Sequence, residues 1–104
     1  METKQVDIFA EDSNLGVVRM PGRNFPGSVV QGDSLAILCS LARSICARAA
    51  TCGDEELKGD AAELLELLEG RQKHYEHVLA QHHIELPYQP VAELTFCFTQ
   101  QPAP

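Results

Sequence analysis

The first candidate for chemistry is the serine of Gly32-Asp33-Ser34-Leu35. A serine hydroxyl is a weak nucleophile unless a neighbouring base, such as an oriented histidine, removes its proton. No Asp-x-x-His follows Ser34, and a chain of 104 residues is short for a domain that also holds an oxyanion hole. We therefore predict that Asp33 and Ser34 begin a helix, where a carboxylate can accept hydrogen bonds from free backbone amides. No catalytic residue is predicted.

Histidine and cysteine are the next candidates, as metal ligands. His74 and His77 have the i,i+3 spacing of ligands on a helix, but helical periodicity places both on a polar face with no third ligand fixed. The four cysteines, at positions 39, 46, 52 and 97, form no Cys-x-x-Cys pair. We interpret them as small buried or half-buried thiols. The sequence therefore predicts neither a metal site nor a cofactor.

A loop at residues 19–27 concentrates the side chains that dominate protein interfaces, arginine and an aromatic. Arg19, Arg23 and Phe25 are therefore candidate partner contacts. In a structural alternative, Phe25 fills the core and an arginine pairs with acids of the second helix. In a third interpretation, Arg19 and Arg23, with Gln31 and Asp33, hold an anion such as a phosphate near a helix N-terminus.

Charge and hydropathy exclude several classes of protein. The formal net charge is −7 and the pI about 4.9, opposite in sign to a free-standing nucleic-acid binder. There is no apolar run of roughly 18 residues that would span a membrane. The first residues lack the basic start and apolar stretch of a signal peptide. We predict a cytoplasmic protein with one domain over residues 1–99 and a disordered tail over 100–104.

The order of periodic segments predicts an α+β fold. Residues 4–10 and 15–20 indicate a β-hairpin, and residues 93–99 alternate as a third strand. Between them, helical patterns run from Asp33 to about Thr51 and from Asp54 to about His82. The short connection favours an antiparallel αα-hairpin, on which the small antiparallel sheet packs.

Each predicted helix has an apolar face. In the first helix it comprises Leu35, Leu38, Ala42, Ile45, Cys46 and Ala49, with the small residues Ala36, Ser40, Ser44 and Ala47 opposite. In the second helix it comprises Leu57, Ala61, Leu64, Leu65, Leu68, Tyr75 and Leu79. Acids fall on the other side of the second helix, at Glu55, Glu56, Glu63, Glu66 and Glu69, and Glu69 can pair with Lys73 four residues later.

The segment from Val18 to Leu35 resembles the signature of a family of short, uncharacterised bacterial proteins. In that family a hairpin leads through R-x-P-G-R-x-F-P-G and then Q-G-D-S-L into a pair of helices, and the likeness covers roughly residues 5–80. The resemblance implies a bacterial origin and the same outline of the fold, and it carries no biochemical activity. If the signature marks a site, it implies Arg19, Arg23, Phe25, Gln31 and Asp33.

Three functions remain open from the sequence. The first is an immunity-type inhibitor that covers the active site of a bacterial toxin, with the acidic face of the second helix and the loop at residues 19–27 contacting a basic cleft. The second is a homo-oligomeric scaffold or adaptor, in which the small-residue face of the first helix pairs across a two-fold axis. The third is an anion-binding module. We expect a protein partner, with no nucleic acid and no membrane.

Overall fold

The computed structural model describes residues 1–12 and 15–89. The chain divides into two compact units, Met1–Gln31 and Gly32–Pro104. The first unit carries a small sheet and the second carries two packed helices, which confirms the predicted α+β class. The strand predicted at residues 93–99 and the tail predicted at 100–104 lie outside the described residues.

The sheet is antiparallel, with strand order β1-β2-β3. Its strands are β1 (Asp7–Ala10), β2 (Val17–Arg19) and β3 (Gly27–Ser28), so both predicted strands of the hairpin are present but shorter than predicted. The pairing of β1 with β2 is irregular between Ile8 and Ala10. In the described part of the chain, the third strand of the sheet is the short β3.

The first helix, α1 (Gly32–Ala49), begins one residue before the predicted start at Asp33. Asp33 lies inside the first turn, where its Oδ1 accepts a hydrogen bond from the backbone N–H of Ser34 at 2.8 Å. Gly32 is buried against Tyr75, and a Cβ at position 32 would overlap the tyrosine ring. The missing side chain of Gly32 therefore lets the N-terminus of α1 approach the second helix.

The second helix, α2 (Glu55–Gln81), begins at the predicted N-cap. The carboxylate of Asp54 accepts hydrogen bonds at 3.1 Å from the backbone amides of Glu56 and Leu57. This satisfies two donors that have no partner within the helix. Because only residues 50–54 separate the helices, α1 and α2 pack as the predicted αα-hairpin.

The buried seam between the helices is lined mainly by small side chains. On α1 it consists of Leu35, Cys39, Ala42 and Ala49, with Cys46 half-buried, and on α2 of Ala61, Leu65 and Gln72, with Leu68 half-buried. Leu65 and Cys39 are fully enclosed. The predicted apolar faces are therefore only partly right, because Leu38, Ile45, Leu57 and Leu64 remain 42–46% exposed.

Candidate functional site

One side of the helical hairpin is apolar and uncovered in the described structure. Six large side chains lie there with 42–59% of their surface exposed: Leu38, Leu41 and Ile45 of α1, and Leu57, Leu64 and Leu67 of α2. We call this surface the apolar side. Monomeric proteins rarely leave many large apolar residues together in water, so such a surface indicates a binding site.

Helical geometry places these six residues on the same side of the hairpin. Five of them directly precede a seam residue, as Leu41 precedes Ala42 and Leu64 precedes Leu65, and Leu57 precedes the half-buried Lys58 one turn before the seam begins on α2. At about 100° per residue, a position one step before the seam projects to one flank of its helix. In an antiparallel pair, equal offsets from the seam reach the same flank of both helices. The two rows of apolar residues therefore form one continuous surface.

The opposite side of the hairpin is closed by polar contacts within the chain. The guanidinium of Arg43 donates from Nε to Glu69 Oε2 at 3.0 Å and from Nη2 to Gln72 Oε1 at 3.1 Å. The side chains of Arg43 and Glu69 are only 8% and 14% exposed. We call the surface containing Arg43, Glu69 and Glu76 the polar side.

The Arg43 pair replaces the predicted pair between Glu69 and Lys73. The reason is geometric, since Glu69 directly follows the seam residue Leu68 and faces α1 rather than solvent. A desolvated guanidinium across the seam is a stronger partner than an exposed lysine one turn away. The amide Nε2 of Gln72 has no hydrogen-bond partner among the described residues.

The segment after α2 returns to the polar side. Tyr88 donates its hydroxyl to Glu76 Oε2 at 2.8 Å. Burial and this hydrogen bond raise the pKa of Tyr88 to about 12. Tyr88 is therefore held against the polar side of α2.

The thiol of Cys39 sits in the seam and is fully buried. Burial raises its pKa, which the positive charge of Arg43 only partly opposes, while Glu69 and Glu76 add to the increase. A thiol in this state is protonated and shielded, so it is a poor nucleophile or metal ligand. The structure therefore assigns Cys39 a packing role, as predicted for the cysteines.

The predicted acidic face of α2 separates into two groups. Glu55, Glu56, Glu63 and Glu66 are exposed, whereas Glu69 is half-buried in the pair with Arg43. The prediction that all five acids share one solvent face was therefore wrong for Glu69. Its carboxylate is neutralised inside the monomer and is not free to contact a partner.

The candidate residues of the loop, Arg19, Arg23 and Phe25, have different surroundings. Arg19 donates to Asp7 Oδ2 at 2.8 and 3.1 Å and lies over the ring of Phe9, with the guanidinium carbon 5.3 Å from the ring centroid. Phe25 is 82% exposed, which contradicts the alternative in which it fills the core. Arg23, Phe25 and their neighbours line a shallow open depression whose other residues are Met20, Gly22, Asn24 and Gly27.

The structural alternative predicted that an arginine pairs with an acid of the second helix. Arg19 instead pairs with Asp7 of β1. Gln31 and Asp33 are exposed near the start of α1. In the described residues no group of three histidine, cysteine, aspartate or glutamate side chains is arranged to hold a metal ion. Nor does any helix in that part of the chain combine the length and apolar character needed to cross a membrane.

Two features of the hairpin were not predicted from the sequence. Arg43 was not identified as a contact between the helices, and the exposure of Leu41 and Leu67 was not predicted. A usable signal existed, because cysteine and alanine recur at positions 39, 42, 46 and 49 with the spacing of a closely packed seam. That spacing would have placed the neighbouring leucines outside the seam.

Comparison with known proteins identifies a family, but the function of that family is unknown. No curated protein and no solved structure matches the chain. A family profile described as "Family of unknown function (DUF6959)" matches residues 1–88, which include both strands of the hairpin and both helices. The chain therefore belongs to the family of unknown function DUF6959.

Proposed function

We propose that this chain is a non-catalytic protein-binding module that engages its partner through the apolar side of the helical hairpin. The observation that carries the proposal is the row of half-exposed leucine and isoleucine residues on both helices. The seam directly behind them is closed by other side chains, so their exposed halves are available to a partner.

The energetic argument concerns the six side chains of the apolar side. Burying the remaining half of one leucine removes on the order of 80 Å² from water and is favourable by about 2 kcal/mol, at roughly 25 cal/mol per Å² of apolar surface. Six such side chains provide a gross gain on the order of 10 kcal/mol, part of which opposes the entropy lost on association. The surface is therefore large enough to drive binding to another apolar surface.

A second candidate is the function predicted from the charge pattern, an immunity-type inhibitor that acts in the cytoplasm and covers the basic cleft of a bacterial toxin. The observation that favours it is the set of four exposed carboxylates on α2, at Glu55, Glu56, Glu63 and Glu66. Such a surface would speed the encounter with a basic partner and select it over acidic ones. Arg23 and Phe25 would supply additional contacts from the exposed loop.

Affinity capture of the tagged protein from a bacterial host distinguishes the two candidates. The variants are Leu41→Asp on the apolar side and the pair Glu63→Lys with Glu66→Lys on the acidic surface, with Ser40→Asp as an exposed control off both surfaces. A stoichiometric complex that is lost with Leu41→Asp and kept with Ser40→Asp supports the proposal. Loss of a basic partner with the lysine pair alone supports the inhibitor. A complex that survives all three changes contradicts both.

A further inference from the structure

We propose that the apolar side is covered by the apolar side of a second copy, in a two-fold dimer that sets α1 of each protomer antiparallel on α2 of the other. This inference rests on the proposed function, because it names the partner of that surface. The dimer would be a four-helix arrangement with Arg48 of each protomer beside Asp60 of the partner subunit.

The basis is a matched pattern in the two helices. On α1 the residues that precede the seam are Leu38, Leu41, Ile45 and Arg48, spaced 3-4-3. On α2 the residues on the same flank are Leu57, Asp60, Leu64 and Leu67, again spaced 3-4-3. Each row therefore contains three large apolar residues and one charge, and the two charges have opposite signs. Arg71 follows at the next position of the α2 row and ends its apolar part.

Both charges are exposed and unpaired in the monomer. Arg48 and Asp60 have no ion-pair partner within 4.0 Å among residues 1–12 and 15–89. α1 ends at Ala49 and α2 begins at Glu55, so both residues lie within about two helical turns of the connection. They therefore lie at a similar height along the hairpin, on different helices.

Only one of the two symmetric arrangements pairs these charges. A two-fold axis parallel to the helices keeps the height of every residue and places α1 over α2 of the partner subunit. Arg48 then faces Asp60 of the partner subunit, and the symmetry repeats the contact. An axis perpendicular to the helices places α1 on α1 and α2 on α2 in reversed direction. That arrangement leaves Arg48 on a row of α1 that contains no acid, so the guanidinium would lie against leucines without a partner, which is costly.

The size of the surface agrees with a dimer of modest stability. Six side chains that are each about half exposed present on the order of 500 Å² of apolar surface. A standard interface contributes about 800 Å² per partner, and the charged residues at the rim would supply part of the difference. The apolar side carries one acid and one base near the connection, so these two charges add no net repulsion to the association of a chain with net charge −7.

Sedimentation equilibrium of the full chain between about 1 and 500 µM tests the inference, since a dimer of this area is expected to dissociate in the micromolar range. The wild type and Ser40→Asp should dimerise, whereas Leu41→Asp should remain monomeric with unchanged helical circular dichroism. Arg48→Asp and Asp60→Arg should each weaken the dimer by about tenfold or more, and the double reversal should restore most of the loss.

Each other outcome overturns a defined part of the inference. A wild type that is monomeric at the highest concentration excludes the dimer. The proposed function survives that result if Leu41→Asp abolishes a stoichiometric complex with a different protein. A dimer that Leu41→Asp leaves intact excludes the apolar side as the interface. Single reversals without an effect, or a double reversal that restores nothing, exclude the placement of Arg48 beside Asp60 of the partner subunit.

Discussion

The two sides of the helical hairpin are built from the same two helices and differ in where their side chains find partners. On the polar side, Arg43 bridges α1 and α2 through Glu69 and Gln72, and Tyr88 returns to Glu76. On the apolar side, three large residues of each helix remain about half exposed. The polar side is satisfied within one chain, whereas the apolar side offers binding energy that one chain does not use.

Within the helical hairpin, the residues that hold the two helices together and the residues available for binding thus lie on different sides. Charged residues are the usual candidates for binding sites, yet the most buried ion pair among the described residues joins the two helices of the monomer. The exposed leucines, which periodicity alone assigns to the core, are the residues available to a partner. Substitutions on the two sides should therefore change different observables.

The largest effect on stability is expected from the polar side. Arg43→Met leaves the half-buried carboxylate of Glu69 without its partner, and breaking such a pair costs about 3–5 kcal/mol. The double variant Arg43→Met with Glu69→Leu should recover most of this loss, because both charges are then absent. Urea unfolding of the two variants, with the exposed Lys73→Met as control, measures the difference. Equal loss in the single and double variants would contradict the role of the pair.

A matched pair of leucines compares the seam with the apolar side. Leu65 is 0% exposed and Leu64 is 45% exposed. Leu65→Ala should cost about 3 kcal/mol, since it leaves a cavity in the seam. Leu64→Ala should cost about 1 kcal/mol or less in the monomer. Unfolding of both variants at low protein concentration provides the test. Equal costs there would mean that the apolar side is covered within one chain.

A smaller loss of stability is expected at the N-cap of α2, beside the connection between the helices. Asp54→Ala should lower the free energy of unfolding by about 1 kcal/mol, because two amides of α2 lose their acceptor. Asp33→Ala is the matched control, since Asp33 lies inside the first turn of α1 and accepts only from the adjacent Ser34 amide. Thermal unfolding of the two variants should rank Asp54 above Asp33. The reverse order would contradict the assignment of the two helix starts.

The smallest effect concerns Tyr88. Tyr88→Phe removes the hydroxyl donated to Glu76 and should cost about 1 kcal/mol or less at neutral pH. The raised pKa means that the fold favours the protonated phenol. This stabilisation is complete below the ordinary tyrosine pKa of about 10 and is lost as the pH rises through about 12. Wild-type stability should therefore fall more steeply than that of Tyr88→Phe between these values, as measured by urea unfolding at each pH.

Much of the local structure could be predicted from residue patterns. The N-cap at Asp54, the αα-hairpin and the first two strands follow from capping chemistry, short connections and periodicity, which act over a few residues. The approach of Gly32 to Tyr75, which lies 43 residues later, was not predicted. A contact between residues so far apart in the sequence cannot be predicted from the local residue pattern.

The candidate site was less predictable, because exposure depends on which part of a wide apolar face the neighbouring helix covers. Glu69 has the same local pattern as Glu63 and Glu66, yet it alone of these three lies within reach of Arg43. Leu64 and Leu65 are adjacent and chemically identical, yet one is exposed and the other enclosed. These differences arise from contacts between the helices.

The sequence by itself determined the class of fold, the first two strands and the two helices that follow them, because backbone preferences and caps are local. Only the tertiary structure decided which residues form the seam. Helices approach most closely where side chains are small, so Cys39, Ala42 and Ala49 face α2. The larger Leu38, Leu41 and Ile45 are thereby left on the outside. The surface proposed for binding is thus a consequence of close packing between the helices.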